Sequence, residues 1–365
     1  MKKEFCALAL CALAGSAIQA QTVNLYGVLD ASVERLNNIG TSGTNLTRMP
    51  GLTGSAPSRL GFRGSEDLGG GLKAVFTLEQ GFGVDNGALN QGGRAFGRQA
   101  YVGLTSEWGA LTLGRQYSMM FWSQLDADIL GPNMFGSGSL DSYLPNARTD
   151  NSLAYRGDFG AWSFGATYSF GRDAVNAGPS PAGTNCPGES DTDSSACRQW
   201  SVLAKYNTAQ WGVAAAIDEI HGGPGAFAGL TSSAMKDRRS TVAGWFKPNG
   251  ALKLGAGVIA RRNDASATTP RSSLLYVGAA YAMSPQFGID AQVFKQDYSN
   301  SNNGATLFAV RGTYNLSKRT AVFATAGHIA NDGTLALSVS NAAAGATPVA
   351  GASQTGFGMG VRHSF

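Results

Sequence analysis

Apolar and polar residues alternate along most of this chain with a period of two, the period of a β-strand whose two faces meet different surroundings. In "TVNLYGVLDASVERL", Val23, Leu25, Leu29, Ala31 and Val33 share one face, and Asn24, Tyr26, Asp30, Ser32 and Glu34 share the other. "SRLGFRG" sets Leu60 and Phe62 against Arg59, Gly61 and Arg63. "AWSFGATYSF" sets Trp162, Phe164, Ala166, Tyr168 and Phe170 against serine, glycine and threonine. "ALKLGAGVIARR" sets Leu252, Leu254, Ala256, Val258 and Ala260 against Lys253, Gly255, Gly257 and Arg261. The final "GFGMGVRHSF" places Phe357, Met359, Val361, His363 and Phe365 on one side. A terminus is ordinarily frayed and polar. A chain ending on phenylalanine therefore predicts a last strand whose apolar face is covered.

Strands are predicted near 22–34, 58–66, 71–82, 97–106, 109–116, 151–158, 161–171 and 199–206. A second set is predicted near 211–220, 238–247, 250–262, 272–282, 287–298, 305–315, 320–330 and 354–365. Alternation alone does not separate a soluble sandwich from a membrane barrel, because both bury one face. The connections do. "EDLGGGL", "SEWGAL", "YNTAQWG", "KPNGAL", "AMSPQFG" and "NLSKRTA" are tight, whereas 171–198, 222–237, 263–271 and 331–353 are long and polar. Short and long connections take turns, as short periplasmic turns and longer external loops do in an outer-membrane barrel. The predicted fold is all-β: a transmembrane antiparallel up-and-down β-barrel of about 16 strands, a size that leaves an aqueous channel.

The N-terminus supplies a destination. "MKKEFCALALCALAGSAIQAQT" has Lys2 and Lys3, an apolar run from Phe5 to Ile18, and small residues before Ala20. That is the pattern of a secretory signal peptide over residues 1–20, leaving 21–365 as the barrel domain. The run is too short to cross a hydrocarbon core of about 30 Å as a helix. Loss of two lysines and Glu4 with this segment takes the formal charge from +4 to +3, too weak an excess for a nucleic-acid footprint. Glycine is abundant, at 50 residues, without a collagen-like period. With aromatic residues and no apolar run of helical spanning length after the signal, this again points to strands.

Two of the four cysteines leave with the signal. The remaining pair, Cys186 and Cys197, sits in "NCPGESDTDSSACRQW". In an oxidising compartment a disulfide closing a short loop is expected. A zinc site is the alternative, although no histidine stands nearby and two thiols are fewer than a structural site needs.

Taken together, the chain resembles the Gram-negative general diffusion porins, in particular the trimeric family typical of β-proteobacteria. The resemblance rests on "LYGVLDASVE", "SRLGFRGSEDLGGGLKAVFTLEQGF", "GRQAYVGLTSEWGALTLGRQYS", "YNLSKRT" and the terminal "GVRHSF". It implies a homotrimer of 16-stranded barrels in outer-membrane lipid and lipopolysaccharide, with a third loop folded inward to narrow each pore. It also implies that Phe365, His363 and Val361 form the signal read by the outer-membrane barrel assembly machinery. Arginines on the wall would face acids on the inward loop. Arg59, Arg63, Arg98 and Arg156 are the wall candidates; Asp126 and Asp128, with Asp141 behind them, are the loop candidates between about Arg115 and Asp150. Arg98 shares parity with Ala100, Val102 and Leu104, so a bulge is expected to turn it inward. One stretch departs from the family's Asn-Ser-aliphatic-Arg-Tyr pattern: in "NSLAYRG" the usual arginine position is Ala154, and Arg156 lies two residues on, on the same face.

The expected function is passive passage of small hydrophilic solutes and ions through a water-filled channel. Selectivity is set by pore width and lining charge, and four arginines against two aspartates predict a weak to moderate anion preference. A substrate-specific channel is the alternative, in which Tyr117, Phe121, Trp122 and Phe135 of the third loop would form an exposed track. A surface adhesin using 171–198 or 331–353 is a third reading. An enzyme is not expected: His221, His328 and His363 are scattered, and no nucleophile or phosphate-binding motif accompanies them. No cofactor, metal or nucleic-acid partner is expected. Trp162, Trp200, Trp211 and Trp245, near strand ends, predict interfacial aromatic girdles.

Overall fold

The computed structural model describes residues 22–172, 186, 188–223 and 229–365; the segment read as a signal peptide lies outside them. The strands before the third loop are β1 (Thr22–Ile39), β2 (Thr44–Arg48), β3 (Arg59–Gly69), β4 (Leu72–Gly81), β5 (Gln99–Ser106) and β6 (Gly109–Tyr117). After it come β7 (Arg148–Phe159), β8 (Trp162–Ser169), β9 (Gln199–Asn207), β10 (Trp211–His221), β11 (Lys236–Phe246) and β12 (Leu252–Asn263). The chain closes with β13 (Arg271–Ala282), β14 (Phe287–Tyr298), β15 (Gly304–Asn315), β16 (Thr320–Asp332) and β17 (Gln354–Ser364). Every pairing between these strands is antiparallel.

The seam closes on β1. Residues 28–36 of β1 pair with β17 on one edge. On the other edge, residues 22–28 pair with β3 and residues 34–39 with β2. β2 and β3 are thus two pieces of one stave, and the seventeen strands build a closed barrel of sixteen. A closed wall leaves no unpaired edge in lipid, where each unsatisfied backbone group would cost several kcal/mol. Tight turns gather at one end and longer connections at the other. The exceptions at the long-loop end are 40–43, four residues between β1 and β2, and 299–303, five residues. In the turn after β3, Gly69, Gly70 and Gly71 all take positive φ, a run that residues with a Cβ would strain to adopt.

The alternation follows the wall. Val102, Leu113, Leu275, Val277, Phe357 and Met359 point outward and stand more than half exposed, Met359 at 68%. Such an apolar band is what a hydrocarbon core covers. Trp162 and Trp211 lie exposed at the turn end, as the girdle expectation has it. Trp245 departs from it. On β11 it shares the inward parity of Thr241 and Ala243, and its Nε1 donates to Asn207 Oδ1 at 3.1 Å.

The densest apolar packing sits inside the barrel. Met120, Leu130, Met134, Phe135, Leu140 and Leu144 of the third loop are buried against Tyr276, Phe294, Leu307 and Ile329 of the wall.

Candidate pore constriction

The third loop, residues 118–147, turns into the lumen and is bound to the wall along its length. Its short helix Met119–Gln124 packs on β9 and β10, and Met119 N donates to Ser201 Oγ at 2.9 Å. Further on, Leu130 N donates to Gln292 Oε1 at 2.9 Å, and Met134 N donates to Gly54 O at 2.8 Å. Met134 and Phe135 lie against β17 where it carries Gly356 and Gly358, and a Cβ at either glycine would collide with them. On the opposite flank, Arg239 donates from Nε to Asp141 Oδ2 at 2.8 Å, while Tyr143 donates to Asp218 Oδ2 at 2.9 Å. Burial first, and the Asp218 charge second, push the Tyr143 phenol up.

Three arginines meet on the facing wall. Arg98 Nε donates to Glu79 Oε1 at 2.7 Å, and Arg59 Nε lies 3.7 Å from Glu79 Oε2. Tyr26 donates to the same carboxylate at 3.0 Å. Tyr117 Oη accepts from Arg98 at 2.8 Å and from Arg148 at 2.5 Å. One carboxylate thus serves Arg59 and Arg98, with Arg148 joined through the phenol. Arg98 does face inward, but not through a bulge within β5. It precedes the strand, in a bend where parity no longer sets direction, with its N–H donated to Glu79 O at 3.0 Å.

Arg63 and Arg156 stand apart. The Arg63 guanidinium lies 5.2 Å from the Tyr26 ring centre and that of Arg156 3.7 Å from the Trp122 ring centre. Neither side chain makes a hydrogen bond or direct ion pair among the described residues, although the charge of Asp158 acts on Arg156. The displacement of the arginine from position 154 to 156 therefore places it under the loop helix, where Ala154 is buried on the same face.

The two loop acids are not set against these arginines. Asp126 is paired with Lys205 of β9, accepts from Asn207 Nδ2 at 3.5 Å, and has Lys253 beside it. Burial raises its affinity for a proton, but the Lys205 hydrogen bond and charge outweigh that and hold the carboxyl below its ordinary range. Asp128 turns back into its own loop, accepting from Gly131 N at 3.2 Å and Ser137 Oγ at 3.0 Å. Burial pushes it up to about 6. At the loop base, Arg115 is paired with Asp150 and donates to Gly97 O at 2.7 Å, a pinning role.

The loop aromatics divide. Phe135 is fully buried and only holds the loop, while Tyr117 stacks on Phe121 with ring centres 3.8 Å apart. Phe121 and Trp122 remain half-buried, Trp122 edge-on to both neighbours.

One contributor escaped sequence reasoning. The segment 333–353, expected outside, folds inward with Val339 and Ala342 fully buried. Ser340 Oγ donates to Glu34 Oε2 at 2.7 Å, and Arg48 donates to the carbonyls of Ala344 at 2.5 Å and Ala343 at 2.9 Å. Arg48 is itself paired with Glu34 at 2.6 Å. The segment also touches the third loop, through Ser139 Oγ to Val339 O at 2.7 Å and Asn341 Nδ2 to Asn133 O at 3.2 Å.

Cys186 and Cys197 are joined by a disulfide, their Cα atoms 5.3 Å apart. At the other end of the molecule Phe365 exchanges two backbone hydrogen bonds with Gly27, at 3.0 and 3.1 Å, and its ring lies over that glycine. Val361 and His363 point outward on β17, and His363 Nδ1 is 2.9 Å from Thr320 Oγ1.

Comparison with known proteins places this geometry. A family model described as "Gram-negative porin" matches residues 7–334. Outer membrane porin protein 32 of Delftia acidovorans is 31% identical over 387 aligned positions, covering all of both chains. Among solved structures, an anion-selective porin from Comamonas acidovorans superposes with a TM-score of 0.70 at 22% identity, covering 95% of this chain and 100% of the other. The trimer form of OmpT, an outer membrane protein of Vibrio cholerae, superposes at 0.64 with 16% identity, covering 95% of this chain and 100% of that one.

Proposed function

Since this chain belongs to the Gram-negative porin family, we propose that the arginine-lined throat described above sets a weak to moderate preference for anions. The barrel is integral to the outer membrane, where it forms a water-filled channel for passive diffusion of small hydrophilic solutes and ions. Selectivity follows from the charges the lumen leaves uncompensated. One observation carries the reading: the Arg63 side chain has no acidic partner among the described residues and Arg156 has only the charge of nearby Asp158, without a direct ion pair, while Asp126 is neutralised by Lys205. The balance along the path is therefore positive. The wall residues of the constriction are Arg59, Arg63, Arg98 and Arg156. Asp126 contributes a compensated charge and Asp128 a structural one. A homotrimer seated in lipid and lipopolysaccharide, cleavage after Ala20, and recognition of Phe365, Val361 and His363 by the assembly machinery complete the reading. The outer apolar band and the ordered C-terminal seam support it.

The test is the reversal potential of single insertions in a planar bilayer under a KCl gradient. Chloride is expected to be favoured, with closures in three equal steps, and Arg63→Ala and Arg156→Ala are each expected to move the potential toward zero. A potassium-favouring potential in the native channel would sink the anion reading. Unchanged potentials in both variants would remove those two residues from the constriction.

A further inference from the structure

The disulfide in the long connection after β8 does more than close a loop. We infer that it fixes Arg172 as a positioning residue for the third loop, so that reducing it loosens that loop and widens the channel. The inference rests on the channel reading above and adds a control point outside the constriction.

Residues 170–172 follow β8 and are held by the disulfide-closed segment at two places. Glu189 N donates to Phe170 O at 3.2 Å, and Arg172 N donates to Cys197 O at 2.8 Å. Cys197 N in turn donates to Gly222 O at 2.8 Å, tying the segment to the residue after β10. Cys197 takes a φ of 60°, a left-handed conformation that residues with a Cβ rarely adopt. Without the cross-link to Cys186, 11 residues away, that backbone relaxes and its carbonyl leaves Arg172.

The side chain of Arg172 is fully buried and reaches the third loop. Its Nε donates to Arg148 O at 3.1 Å, where the loop rejoins the wall. Its guanidinium lies 5.0 Å from the ring centre of Tyr143, the loop residue that donates to Asp218. Arg148 continues the path through Tyr117 Oη to Arg98 of the constriction. A covalent bond at the external end thus reaches the throat through Arg172, Arg148 and Tyr117.

Reduction is a thiol–disulfide exchange with a dithiol. One thiolate attacks a cysteine Sγ and breaks the S–S bond, and the second closes the reductant's own disulfide, leaving two cysteine thiols. The dithiol supplies both electrons and both protons. Cys186 and Cys197 are buried, so exchange is slow and is run until both thiols can be titrated.

The experiment compares the folded full-length chain before and after dithiothreitol, by single-channel conductance and by hydrogen exchange of the third-loop amides. Reduction is expected to speed exchange in the third loop and to raise conductance on the order of 1.5-fold, with heat-modifiable gel mobility unchanged. Cys186→Ser combined with Cys197→Ser should show the raised conductance from the start and no response to the reductant. Arg172→Ala should raise conductance with the disulfide intact. Reducing that variant should add little, because both changes break one path. Arg172→Lys, which keeps the charge without the planar fork, should fall between Arg172→Ala and the native chain. If Arg172→Ala does not fold, Arg172→Lys and the paired cysteine variant carry the test.

A disulfide that only closes its own loop would confine the faster exchange to 188–198 and leave conductance unmoved, which overturns the inference. A full response to reduction in Arg172→Ala, or loss of the folded barrel on reduction, overturns it as well. Hydrogen exchange keeps the two readings apart. A native chain that conducts nothing, but whose third loop exchanges faster once reduced, removes the channel reading and keeps the hold on the loop. A conducting chain whose third loop ignores reduction removes only that hold.

Discussion

Two side chains show how far position in the sequence decides what a charge can do. Arg98 and Arg59 share Glu79, yet only Arg59 owes its direction to strand parity; Arg98 is steered by the bend before β5 and by Tyr117. Asp128, two residues from the lumen-facing Asp126, is withdrawn into hydrogen bonds with Gly131 and Ser137. Its carboxyl is raised to about 6 by burial, so the folded chain keeps a proton that an unfolded one releases near its ordinary value. Where the folded state binds more protons, stability falls as pH rises. The contribution should be intact below about pH 4, decline between about 4 and 6, and level off above that, losing on the order of 3 kcal/mol. Asp128→Asn removes the titrating group while keeping an oxygen for Gly131. The variant's thermal midpoint in detergent should run flatter from pH 4 to 7 than the native chain's. Parallel curves would mean the carboxyl is solvated.

At the scale of elements, the inward segment 333–353 is the least expected and the easiest to test. Its hold on the wall passes through Arg48, which pairs with Glu34 and donates to the carbonyls of Ala343 and Ala344. Arg48→Ala leaves Glu34 without its cation and the segment without two anchors. Truncating one partner of such a pair costs about 3–5 kcal/mol when both are buried, and less here because Arg48 is partly exposed. We expect larger and noisier single-channel conductance in Arg48→Ala, and a larger steady step when 336–350 is replaced by a short Gly-Ser linker. Unchanged conductance in both would mean the segment lies beside the path, not across it. The wall strands were legible because a period of two survives wherever one face meets lipid and the other water. β2 was not, since "TNLTR" continues a stave only by pairing with the far half of β1. Nor was the loop's docking site read, although a signal existed. Leu274, Tyr276, Phe294, Leu307 and Ile329 are apolar on the lumen face, breaking the alternation where the third loop packs. Of the site, Arg59, Arg63 and Arg156 were legible from parity, whereas Arg98 was not, because it lies in the bend before β5. The partners of Asp126 and Asp128 were not, because loop direction depends on contacts many residues away.

For the whole molecule the decisive feature is closure. β17 and β1 pair through nine registered residues, from Val28 with Ser364 to Leu36 with Gly356, and Phe365 adds two more backbone hydrogen bonds at Gly27. The same residue can act in two ways: as packing at the seam, with its ring over Gly27, or as an address for assembly. Phe365→Ala keeps the backbone bonds and removes only the ring, so it separates them. In purified lipid vesicles, without assembly machinery, folding from urea can be followed by heat-modifiable gel mobility. If the ring matters through the seam, the variant should fold there more slowly or to lower yield. If it matters as an address, the variant should fold there like the native chain and fail only in cells. Because the ring lies on the exposed outer wall and both backbone bonds survive its removal, we expect folding in vesicles within about twofold of native, with the main loss in cells. A large defect in vesicles would return Phe365 to the seam alone.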